Sequence, residues 1–275
     1  MTTALVTPTA PLTARGGGFT GLLRAEWIKL TSVRSTLWTL ALMTATAVGV
    51  SVLISAITAA QWKDSSAADR QGIVEDPVGT IFGALGLAEL VICVLGVLVV
   101  TSEYSTGTIR ASVLAVPRRS PMLVAKALVF AAMALVVGEI ASFASFFSGA
   151  ALLRDHVTVT LDDPGVLRAV AGTGLFLAAM SLVALGVGAL VRHTAGAIAG
   201  VIGFVLVLSP LASTLPGTVG KHLSAYLPTN AGQLIVFAVP DPEAVLSPWQ
   251  GLAVCALWGV ALLTAAAVLL KRRDV

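Results

Sequence analysis

The amino-acid sequence predicts an all-α integral membrane protein with six transmembrane helices, and three observations carry that prediction. Of its 275 residues 57% are hydrophobic and 11% charged, with a mean hydropathy of +0.94, so the chain cannot cover itself with a water-compatible surface. Its apolar residues gather into six runs, each meeting the roughly 20 residues a helix needs to cross a hydrocarbon core. Those runs are continuous rather than alternating, which selects helices over barrel strands as the way to satisfy backbone groups in lipid.

The elements follow in order. Residues 1–18, rich in Thr, Pro, Ala and Gly and ending in Gly16-Gly17-Gly18, read as a flexible leader. They do not read as a signal peptide, because the charged region and the apolar core are in the wrong places. Residues 19–30 place Phe19, Leu23, Trp27 and Leu30 within one helical arc flanked by Arg24 and Lys29, which suits a helix lying in the membrane interface; Ile28 points away from that arc and Glu26 borders it. The spans are expected at 36–60, 78–101, 122–153, 169–191, 194–215 and 249–270, within one membrane domain over 19–275. Asp76-Pro77, Ser120-Pro121, Asp163-Pro164 and Ser247-Pro248 each set a capping side chain before a proline, and so mark four helix starts. Pro210 should break regular hydrogen bonding in the fifth span, and Pro216 should close it. Gly79 with Gly83, and Gly196 with Gly200, have the spacing that lets helices approach closely.

Orientation follows from the basic residues, which favour the cytoplasmic side. One side of the six-span arrangement holds Arg15, Arg24, Lys29, Arg34, Arg110, Arg118, Arg119, Lys126, Arg192, Lys271, Arg272 and Arg273, the other Lys63, Arg70, Arg154, Arg168 and Lys221. Among the loop and terminal acids only Glu26, Glu103 and Asp274 share the basic side. Both termini are therefore expected in the cytoplasm. The same asymmetry accounts for a pI near 9.1 as a topology signal, and with no basic stripe interleaved with aromatics a nucleic-acid partner is not expected.

Site chemistry is sparse. Cys93 and Cys255 fall inside apolar runs, and His156, His193 and His222 lie far apart in different loops, so neither a disulfide nor a metal centre is expected. Glu89 and Glu139 interrupt the second and third spans near their middles. An ionised acid there costs several kcal/mol, so each should face the protein interior or a water-filled path, either lining a translocation route or joining helices by hydrogen bonds. The loop TSEYSTGTIRASVLAVPRRSP, residues 101–121, contains a short helix over 108–116 that would expose Ile109, Val113 and Val116 on one face, a candidate docking surface before Pro117 and Arg118-Arg119.

The segments AEWIKLTSVRSTLW (residues 25–38), SEYSTGTIRASVLAVPRR (102–119), Lys126 and AYLPTNAG (225–232) together resemble the permease subunits of ABC-2 type transporters, particularly bacterial exporters. The resemblance implies a plasma-membrane permease paired with a second copy or a sibling, docked to two ATPase subunits that bind ATP and Mg. It implies coupling roles for Glu26, Trp27, Glu103, Tyr104, Gly107, Arg110 and the 108–116 helix, and an outer re-entrant region over 216–248. No long extracellular domain separates the first two spans, so a variant with one is not matched. The chain carries no P-loop of its own: the single Gly-Lys pair, Gly220-Lys221, is followed by His222, and Leu215 stands where the first glycine belongs. No cofactor and no enzyme activity are expected on this chain, since no hydrolase elbow or metalloprotease motif lies in a span. An ion-coupled carrier using Glu89 and Glu139 is the alternative; it would favour internal inverted repeats, and none is evident.

Overall fold

The computed structural model describes residues 18–83, 85–107 and 119–272, and among these every regular element is helical. Helix α1 (Gly18–Ser32) turns at the single residue Val33 into α2 (Arg34–Ala60). Two short helices follow, α3 (Ala67–Glu75) and α4 (Pro77–Ile81), and then α5 (Leu85–Ser105). Next come the long α6 (Arg119–Leu153) and α7 (Val166–Val191). α8 (Thr194–Gly203) runs through a π-turn (Phe204–Leu208) into α9 (Ser209–Ser213). The chain continues with α10 (Gly217–Ala225), α11 (Pro228–Gln233), a 3-10 turn (Leu234–Val236) and α12 (Pro248–Arg272). Six helices are long and apolar enough to cross a membrane: α2, α5, α6, α7, the α8–α9 rod and α12.

α7 is the axis of the bundle, with α5, α6 and α12 packed around it and α2 laid against α6 and α5. Glycines allow the close approaches. A Cβ on Gly96 of α5 would lie 2.7 Å from the Ser181 carbonyl, and one on Gly188 of α7 would lie 3.1 Å from the Val97 backbone, so these two helices meet backbone to backbone. Phe176, Met180 and Ala184 of α7 sit in one apolar core with Cys93, Val97 and Cys255, and both thiols are fully buried.

Several sequence expectations change. The second span is not one helix over 78–101: Asp76 does cap α4, its Oδ1 accepting from the Gly79 amide, but the helix stops near Phe82 and a new one starts at Leu85 and runs to Ser105. Glycine is a poor helix residue, and Gly83 and Gly86 bracket that break. Glu89 consequently lies in the second turn of α5, not at mid-helix. Gly79 is accounted for by the Asp76 cap, Gly83 meets only the tip of Ile54 outside its own turn, and Gly200 has nothing within 4 Å, so neither predicted small-residue pair is a close helix contact within this chain.

Of the other start marks, Ser120 is already inside α6, and Asp163 accepts from the Thr160 amide in the turn before α7. Gly165, at φ 82°, is the residue that caps α7, because it takes a left-handed conformation without a Cβ clash. At the start of α12 the cap is made the other way round from expectation: the Ser247 amide donates to the Gln250 side-chain Oε1 three residues on. Pro210 lacks an amide hydrogen and crowds the carbonyl four residues back, and the turn before it is wound as a π-helix.

Candidate functional site

One end of the bundle carries α1, the C-terminal end of α5, the start of α6 and the Arg192-His193 turn between α7 and α8. Four charged side chains meet there. Lys126 Nζ of α6 donates to Glu26 Oε2 of α1 at 2.6 Å and to Glu103 Oε1 of α5 at 2.9 Å. Lys29 Nζ donates to Glu26 Oε1 at 2.9 Å and to the same Glu103 oxygen at 3.1 Å. Glu26 and Lys126 are 3% and 4% exposed, whereas the Lys29 side chain retains 42% of its surface.

A buried ion pair repays the cost of desolvation only when geometry is good and partners are complete. Among the described residues two carboxylates face two ammonium groups, so their charges balance. Burial opposes the charge of Lys29, but its hydrogen bond to Glu26 and the nearby Glu103 carboxylate outweigh that, so its pKa lies above the ordinary lysine value. The consequence is mechanical: α1, α5 and α6 are tied at one point, on the two flanks of the chain segment from 106 to 118. A cleft of about 600 Å³ opens beside the tie, between Thr36 and Thr39 of α2 and Leu95 and Val99 of α5.

The α1 face differs from the sequence expectation. Glu26 and Leu30, one turn apart, are the buried residues, while Phe19 and Trp27 are exposed. The ion cluster draws Glu26 inward, and Trp27 is left on the outer face, where an indole suits the polar and apolar boundary of a membrane. Of the other residues singled out, Tyr104 lies under the Arg192 guanidinium, 5.4 Å from ring centre to Cζ. Gly107, at φ 70°, takes the left-handed turn after α5. Ile109, Arg110, Val113, Val116 and the helix expected over 108–116 lie outside the described residues.

The two intramembrane acids keep different company. Glu89 is fully buried; its Oε1 accepts from Thr229 Oγ1 at 3.0 Å and its Oε2 from Gln233 Nε2 at 3.1 Å, which pins α11 onto α5. Glu139, on α6, is half-buried over Gly174, where an added Cβ would come 2.5 Å from its Oε1, and no hydrogen bond to it occurs among the described residues. The structure therefore brings Glu26 and Glu103 together, with Lys29 and Lys126, and forms no bond between Glu89 and Glu139. Among the described residues no group of histidine, cysteine or acidic side chains could hold a metal ion.

Sequence reasoning missed Lys126 and Lys29 as the partners of Glu26 and Glu103, although two acids and two lysines on one side of a membrane were a usable signal. It also missed Thr229 and Gln233 as the partners of Glu89. Among known proteins, no family model matches the chain and no curated protein matches it.

Proposed function

We propose that this chain is the membrane-spanning permease subunit of an ATP-driven exporter of the ABC-2 type, set in a bacterial plasma membrane with both termini in the cytoplasm. It pairs with a second copy or a sibling permease and docks two ATPase subunits, which bind the ATP and Mg. The observation that carries this reading is the Glu26–Lys126–Glu103–Lys29 cluster, with Glu26 and Lys126 buried, which joins the interfacial helix to both flanks of the 106–118 segment. A partner pushing on that segment moves α1, α5 and α6 as one body, because breaking the tie would strand a buried charge.

Glu139 supports a route through the membrane. A carboxylate with no hydrogen-bond partner among the described residues, on the flank of a span, is costly against lipid tails, so its face is turned to a water-filled path or to the second permease. The ion-coupled alternative asks Glu89 to carry protons, but Glu89 is committed to holding α11.

Purification from the membranes of the native host in mild detergent tests the reading. An ATP-hydrolysing subunit should accompany the chain, and Val113→Asp should release that subunit while leaving the permease inserted. A chain that purifies without any ATP-binding partner, yet still transports under an ion gradient, would contradict it.

A further inference from the structure

At the end of the bundle opposite the ion cluster, an apolar cleft of about 480 Å³ opens between residues 72–76 and 234–248. That volume suits a small organic molecule and is too small for a folded partner. Its walls are mostly hydrocarbon, with Phe237, Val239 and Leu246 among them, and Phe237 and Val239 are 43% and 57% exposed. The charged side chains lining it are Glu75, Asp76 and Asp241, all acidic. Of the nearby cations, Lys221 pairs with Glu243 at 3.4 Å, and Arg168 lies behind the wall, its Nη2 donating to the Phe237 and Ala238 carbonyls, so three acids line the cleft against one cation behind it.

Apolar walls reject a hydrophilic ion, and three carboxylates reject an anion or an anionic lipid headgroup. The occupant that matches both properties carries an apolar body and one positive charge. We propose that this cleft binds amphipathic organic cations. It is built against the rest of the bundle by the Arg168 contacts to its wall and by Leu234, which follows directly on α11, the helix Glu89 holds in place. The role of such cations as exported cargo rests on the function proposed above; their binding does not.

The test uses the full chain in phosphatidylcholine nanodiscs and two probes of equal shape and opposite charge, tetraphenylphosphonium and tetraphenylborate, each measured against empty discs. The phosphonium should bind above the empty-disc background, weaken as salt is added, and be preferred to the borate. Glu75→Gln with Asp241→Asn should weaken phosphonium binding roughly three- to tenfold, the scale of losing two solvent-exposed charge contacts. Both amides keep the oxygens that accept from Gln71 and from the Glu243 amide, so the loops should hold their shape. Equal binding of the two probes by the unaltered chain, or unchanged phosphonium binding in a folded double variant, would overturn the proposal. Because the measurement needs no ATPase, a failure here leaves the co-purification result untouched, and the reverse holds as well.

Discussion

Lys126 holds its ammonium between two carboxylates in a site where only 4% of the residue is exposed, and that position sets the sharpest expectations at the residue scale. Lys126→Met removes the buried cation and leaves Glu26 with only the half-exposed Lys29 beside it, which should cost up to about 3 kcal/mol, the low end for breaking a buried pair, in thermal unfolding of the detergent-solubilised protein. Adding Glu26→Gln should recover part of that loss, and a double-mutant cycle showing strict additivity would mean the two groups do not interact. Lys29 behaves differently with pH. Its pKa is raised in the folded protein, so its contribution is fully present below the ordinary lysine range and is lost only as pH rises through the folded value. The stability gap between the unaltered protein and Lys29→Met should therefore stay flat around neutral pH and narrow only in strongly alkaline buffer. For Glu89, the Gln substitution retains groups that can hydrogen-bond Thr229 and Gln233, whereas Leu leaves the buried Thr229 hydroxyl unpartnered at about 1–3 kcal/mol and frees the half-buried Gln233 amide at less. Comparable melting of the two variants would mean that α11 is held by packing alone.

Among the elements, α5 and α7 make the contact least tolerant of added volume. Gly96→Val would drive carbon into the Ser181 carbonyl and the Ala184 methyl, with about 1–3 kcal/mol of overpacking cost and lower accumulation in membranes. The six helices long and apolar enough to span were legible in the sequence because lipid enforces long apolar runs, and a run such as 169–191 has few other readings; that a separate helix precedes them was legible too. The break between α4 and α5 was not legible, since hydropathy is the same on both sides of Gly83 and only the local helix geometry changes. For the same reason Glu89 read as a mid-span acid, when its place beside α11 depends on a contact 140 residues away in sequence. The buried face of α1 was misjudged because an apolar arc was allowed to outweigh an acid, and the acid's lysine partner lies 100 residues further along. Gly79 and Gly196 had the right spacing for helix packing, but the close approaches are made by Gly96 and Gly188, which no fixed short motif marks.

For the whole molecule, the account stands on which end of the bundle faces the cytoplasm, because ATP is present only there and an ATPase can dock only there. The excess of lysine and arginine predicts that the end with the ion cluster faces inside. The two native cysteines are fully buried in the core, so a single introduced cysteine reports without background. Ser105 closes α5 beside the ion cluster and is exposed, and Asp64 lies exposed at the opposite end between α2 and α3. Labelling of intact cells with a membrane-impermeant maleimide should modify Asp64→Cys and leave Ser105→Cys untouched until the membrane is opened. Labelling of Ser105→Cys from outside, with Asp64→Cys protected, would put the ion cluster on the wrong side of the membrane and contradict the account.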